Sequence, residues 1–106
     1  MAKYLLQGNY VGEGVKGLLK EGGTSRRANG EKAAQSMGGT MEAFYYAFGD
    51  TDIYAIVDLP DHASAAALAL MINASGTVVV KTTVLMTPEE LDAAAQKTPA
   101  YRPPGQ

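Results

Sequence analysis

Cysteine and tryptophan are absent from this sequence, and histidine occurs once. Without cysteine there is no disulfide framework, no thiolate nucleophile and no Cys-based zinc or iron-sulfur site, so an oxidising compartment is not indicated. A lone His62, with no carboxylate pair at ligand spacing, leaves no expected metal site and no expected cofactor. Long apolar runs are missing too. Met1 to Gly8 holds only Leu5 and Leu6 as an apolar pair, far short of the roughly 7 to 15 apolar residues of a signal peptide. The longest charge-free stretch, Ala63 to Val80, is broken by Ser64, Asn73, Ser75, Gly76 and Thr77. It falls short of the about 20 apolar residues a membrane span needs. A cytoplasmic location without membrane contact is the expectation. Basic residues are also few, 9 against 11 acidic ones with a net charge of -2, and Arg26-Arg27 is the single basic pair. That balance speaks against a nucleic-acid partner, whose phosphates are met mainly by Lys and Arg.

What is present describes one globular domain: 106 residues, 46% of them hydrophobic. A chain this short buries only about 60 to 65% of the surface it exposes when unfolded. Pairing with a second copy is the natural remedy, and a homodimer or higher oligomer is expected.

Alternation of side chains marks Lys3 to Tyr10 as a first strand. Val11 to Gly22 places Val15, Leu18 and Leu19 on one stripe with Lys16 and Lys20 opposite, a short amphipathic helix. Thr24 is positioned to cap a second helical piece running to about Met37, stopped by left-handed Gly38 and Gly39. Its polar composition predicts a surface helix. Met41 to Gly49 and Asp52 to Leu59 are rich in aromatic and β-branched residues and read as a hairpin about Gly49-Asp50-Thr51. Asp61 opens a helix with Ala65, Leu68, Ala69 and Ile72 on one stripe, closed at Ser75-Gly76. Thr77 to Met86 is a fourth strand, and Thr87-Pro88-Glu89-Glu90 is a capping box for a helix to about Lys97. Residues 99–106, with three prolines, form an extended tail beyond a domain spanning 1–98.

The order βαββαβ plus a C-terminal helix predicts an α+β, ferredoxin-like sandwich with a four-stranded antiparallel sheet. Tyr4, Leu6, Phe44, Tyr46, Phe48, Ile53, Ala55, Val57, Val78, Val80 and Val84 share the parity that faces the helices. The opposite parity carries Leu5, Ile56, Val79 and Leu85 among Gln7, Tyr45, Asp52, Tyr54, Lys81 and Thr83, too apolar to be left in water. A second subunit covering that face is the simplest arrangement.

The opening Met-Ala-Lys-Tyr-Leu-Leu-Gln-Gly, the glycine-rich segment Glu13 to Gly23, Phe44-Tyr45-Tyr46-Ala47-Phe48-Gly49-Asp50-Thr51-Asp52 and the Asp58-Leu59-Pro60-Asp61 turn resemble the GYD-domain family of small bacterial proteins. The resemblance spans nearly the whole chain. It implies a dimeric α+β barrel, two ferredoxin-like subunits with facing sheets, in a superfamily that includes cofactor-free monooxygenases, isomerases and ligand-sensing domains. Gly49 and Asp52 match the naming motif, whereas Thr51 stands in place of its tyrosine, so no role of that tyrosine carries over. A fold of this kind hosts many activities and does not fix one.

Gly12-Glu13-Gly14-Val15-Lys16-Gly17 matches a dinucleotide-binding pattern, but residues 24–36 are polar and helical where a second parallel strand would be needed. Loop and helix-start glycines are the better reading. Asn73-Ala74-Ser75 is a glycosylation sequon with meaning only in a secreted protein. A third strand with Asp52 and Asp58 at its ends lacks the basic, aromatic character of an RNA-binding sheet. Gly49 and Asp52 read as turn residues, the glycine at positive φ.

Tyr45, Asp52, Tyr54 and Lys81, sharing one face, are the candidate ligand-binding set, able to hydrogen-bond a phenol or carboxylic acid. Alternatively these tyrosines pack the core and a dimer interface, and Lys81 forms a salt bridge to Asp52, to Asp58 or to a partner subunit. His62, at a helix start that disfavours its charged form, is a candidate base beside Tyr45 and Tyr54 or simply a surface residue. The alanines at 63, 65, 66, 67 and 69 either bring that helix close to the sheet or leave a cavity lined by Tyr4, Phe44, Tyr46 and Phe48. The expected function is binding of a small aromatic or acidic metabolite. The alternative is a cofactor-free monooxygenase or isomerase acting on a phenolic or lactone substrate.

Overall fold

Each run of alternating residues becomes a strand, and each break at glycine or proline a turn. The computed structural model, which describes residues 1–106, orders the elements as β1 (Ala2–Tyr10), α1 (Gly14–Glu21), α2 (Gly23–Ser36), β2 (Thr40–Tyr46), β3 (Ile53–Leu59), α3 (His62–Ala74), β4 (Val78–Leu85) and α4 (Pro88–Ala95). The strands form one antiparallel sheet in the order β2-β3-β1-β4. With α2 and α3 packed on it, this is the expected α+β, ferredoxin-like arrangement. No helix is long and apolar enough to cross a membrane.

The core follows from the predicted parity. Tyr4 and Leu6 of β1 and Ala55, Val57 and Leu59 of β3 meet Ala34 of α2 and Ala65 and Leu68 of α3. Tyr4, Val57 and Leu59 are the largest fully buried side chains. Burial of each such group stabilises the fold by about 1.5–3 kcal/mol.

Four expectations need correction. First, α2 is not a purely external helix, because Ala34 is completely buried and Ala33 and Met37 pack beside it. Second, Thr24 does not cap α2. The helix begins after Gly22, at φ 89°, with no side-chain cap. Third, only Gly38 of the pair ending α2 is left-handed. Gly39 is required for another reason, since a Cβ there would lie 1.9 Å from the Asp58 carbonyl oxygen. Fourth, β2 ends at Tyr46, so Phe48 sits fully exposed in the connection instead of facing the helices, and Gly49 has no positive φ. The connection is closed instead by Ala47 N–H donating to the Asp52 carbonyl at 2.8 Å.

A β-bulge between Met41 and Ala43 adds a residue to β2. Met41 pairs with Val57 and Ala43 with Ile56, so the inserted Glu42 turns Met41 toward the helix side although both numbers are odd.

Thr87 and Glu90 form the predicted capping box at the start of α4. This helix nevertheless packs substantially against no other element, and every residue from Pro88 to Gln106 is exposed. The projecting segment stretches the molecule to 57 Å and raises its radius of gyration to 16.9 Å, against about 13 Å for a compact chain of this length.

Candidate functional site

Small residues occur on both sides of the sheet–helix interface. Gly8 of β1, Ala55 of β3, and Gly30 and Ala33 of α2 line a cavity of about 120 Å³ there. Met41 and Phe44 bound it along β2, Val78 and Val80 along β4, and Leu68 and Ile72 from α3. An apolar void of about 150 Å³ accepts benzene, so this space is of single-ring size. The expected aromatic lining is corrected in part: Phe44 lines the cavity, whereas Tyr4, Tyr46 and Phe48 do not, and Tyr10 does.

The cavity changes character where β1 ends and α2 begins. Tyr10, Arg26 and Asn29 border it there. Arg26 also borders a neighbouring cleft containing Glu13 and Glu21, and its Nη1 stands 3.8 Å from Glu21 Oε1, too far for a hydrogen bond. Tyr46 lies outside the lining, with its hydroxyl donating to the Gly23 carbonyl at 3.0 Å and its ring edge-on to the lining residue Phe44 at 5.1 Å. Burial, reinforced by the Tyr10 phenol beside it, pushes the Tyr46 pKa up to about 12, against the opposing pull of Arg26 and Arg27. The phenol therefore stays neutral at any ordinary pH.

The opposite face of the sheet is open. Pairing places Tyr45, Tyr54, Gln7 and Lys81 in one row across all four strands, so three members of the predicted ligand set are brought together. The next row is Ala43, Ile56, Leu5 and Thr83. Tyr45 and Tyr54 are exposed. Beyond them Lys3 pairs with Asp58 at 3.0 Å and with Glu42, and hydrogen bonds to Glu42 and then Asp58 raise the Lys3 pKa.

Those pairings exclude the expected salt bridges of Lys81 within the chain. Asp58 is taken by Lys3, and Asp52 accepts from Tyr10 N–H at 3.0 Å. Lys81 has no ion pair, a tolerable state because it is exposed on the edge strand β4. Asp52 acts as a lock between β3 and β1, its own N–H donating to Asn9 Oδ1 at 2.9 Å and to the Gly8 carbonyl at 3.0 Å.

His62 lies on the helix side, away from Tyr45 and Tyr54. Its Nδ1 is 2.6 Å from the hydroxyl of buried Tyr4, and the rings meet edge to face at 5.7 Å. This contact satisfies the single polar atom that Tyr4 carries into the core. Next to it, Asp61 caps α3 by accepting from Ser64 N–H at 2.7 Å. Hydrogen bonds from Ser64 hold the Asp61 carboxyl below its ordinary value.

The glycine pattern at residues 12–17 is structural: a Cβ on Gly14 would fall 2.1 Å from the Thr77 carbonyl oxygen. No group of three or more His, Asp or Glu side chains could hold a metal ion. Tyr10, Arg26 and Asn29 were not anticipated as site residues. The signal available was helical spacing, because Arg26, Gly30 and Ala33 follow at i, i+4 and i+7 and share one face of α2.

A family model described as GYD domain matches residues 4–95, from within β1 to the end of α4. No curated protein and no solved structure matches the chain. Coverage of nearly the whole sequence by that one description means that the chain belongs to the GYD domain family.

Proposed function

We propose that this protein binds a small aromatic or acidic metabolite in the cavity between its sheet and its helices. The observation that carries the reading is the ring-sized void itself, apolar along its walls and polar only at one end. Well-packed domains close such spaces. Here Gly8, Gly30, Ala33 and Ala55 are among the residues that line it.

The same proposal includes a homodimer joined through the open sheet face. Leu5 and Ile56 lie there in one row, flanked by the row containing Tyr45, Tyr54 and Lys81. In such a dimer Lys81 gains a partner-chain acceptor, and Tyr45 and Tyr54 line the junction between sheets. Native mass spectrometry of protein purified without added ligand tests both parts. A dimer carrying excess mass that Ala33→Leu removes is the expected result. A monomer at micromolar concentration removes the dimer, and retained mass that Ala33→Leu leaves unchanged removes the cavity as its site.

A further inference from the structure

The next step rests on the cavity reading above and narrows it to one ligand class. Polar side chains border the cavity only at Tyr10, Arg26 and Asn29. Arg26 and Asn29 are three apart on α2 and therefore stack along one face. Tyr10 and Arg26 also border one common neighbouring cleft, so these groups meet at a single end.

Arg26 is the one charged side chain that borders the cavity itself, with Glu21 3.8 Å from its Nη1 in the neighbouring cleft. No Asp or Glu borders the cavity. The Arg26 fork offers five donors and no acceptor, and its loose 3.8 Å approach to Glu21 leaves it without a bidentate carboxylate while 31% of the side chain remains exposed. An amine entering here would meet Arg26 with Arg27 nearby. A neutral hydrocarbon would gain burial but leave the guanidinium unused. A planar carboxylate matches the fork and completes it.

From these groups we infer that the cavity takes a small aromatic carboxylic acid as its anion, with the ring inside against Phe44 and Ala55 and the carboxylate at the mouth on Arg26. The Tyr10 hydroxyl and the Asn29 amide supply further donors. The volume of about 120 Å³ matches one ring, and the charged group stays at the opening where it keeps part of its hydration.

Benzoate and its neutral isostere benzamide are the probes, titrated at millimolar concentration into full-length protein while amide resonances of Gly8, Gly30 and Phe44 are followed by NMR. Benzoate is expected to shift these resonances and to bind at least tenfold more tightly than benzamide. Arg26→Gln is expected to weaken benzoate about 10- to 100-fold, the range for a lost charged hydrogen bond, and to leave benzamide unchanged. Arg26→Lys should restore part of the loss, since it keeps the charge without the fork. Ala33→Leu should abolish the shifts for both compounds.

Equal binding of the two probes, unaffected by Arg26→Gln, overturns the carboxylate assignment and leaves the cavity as a site for neutral ligands. Absence of shifts at these amides with either probe, or shifts that survive Ala33→Leu, overturns the carboxylate assignment together with the cavity reading. Thermal melting of each variant identifies one that has lost its fold, and Arg26→Lys then carries the comparison.

Discussion

One strand shows two environments. Along β1, Tyr4 and Leu6 point to the helices and are buried, while Lys3, Leu5 and Gln7 between them face the open side and are only half-buried. The helix side uses shape, with glycine and alanine deciding where packing stops and a cavity begins. The open side uses ladder rows, setting an apolar row against a row of two phenols, an amide and an ammonium. The first environment is covered by α2 and α3, whereas the second has no helix packed on it to a comparable extent. Stability should therefore belong to the helix side, and association to the open side.

The largest expected effect lies on the helix side. Leu59→Ala, at a fully buried position, should cost about 2–5 kcal/mol, the same at any protein concentration. Ile56→Ala should cost less in dilute solution and progressively more as protein concentration rises, because an associating face stabilises by mass action. Urea denaturation at two concentrations measures both, and equal, concentration-independent costs would break the contrast.

Next comes Leu5→Lys, which places a charge in the apolar row. It should leave the far-ultraviolet spectrum intact while shifting the sedimentation coefficient from dimer to monomer. An unaltered coefficient would place association elsewhere.

A smaller effect is expected at the Tyr4–His62 contact. Tyr4→Phe removes one hydroxyl and its partner bond, for about 0.5–1.5 kcal/mol. His62→Ala should cost more than Tyr4→Phe, since it leaves the buried phenol without its hydrogen-bond partner. The reverse order would show that water replaces His62 there.

The smallest effect is a pH response. The Asp61 carboxyl is held below its ordinary 3.8 by Ser64, so its contribution is fully present above that value and is lost as pH falls through the lower folded-state value. Asp61→Asn keeps a capping acceptor that does not titrate. Its melting temperature should fall less steeply than that of the parent as pH drops below about 4. Parallel curves would assign the acid response to other carboxylates.

How far these two environments can be read from sequence differs by residue type. Large alternating side chains gave away the strands, so Tyr4, Leu6, Ala55 and Val57 were legible as helix-facing. Thr87 and Glu90, three residues apart, were legible as a capping box. The role of α2 was not, because Gly30, Ala33 and Ala34 carry too little apolar surface to register as a buried stripe, although together with Met37 they fall at i, i+3, i+4 and i+7. Phe48 was misplaced because alternation continues past the residue where β2 ends. Among the candidate site residues, the grouping of Tyr45, Tyr54 and Lys81 follows from strand parity, but their row alignment depends on register. Asp52 falls just before β3, outside the paired rows, and its hydrogen bonds to β1 depend on a pairing of residues 42 positions apart.

The bulge at Glu42 also decides where the sheet stops. β2 is an outer strand, and a straight outer strand presents a row of free N–H and C=O groups on which another chain can extend the sheet. The inserted residue breaks the regularity of that row and fastens a carboxylate to Lys3 two strands away. Edge-wise pairing with another chain is thereby disfavoured at this border. Deleting Glu42 would straighten the border and remove its tie to Lys3, while Met41, then adjacent to Ala43 and of opposite parity, would keep facing the helices.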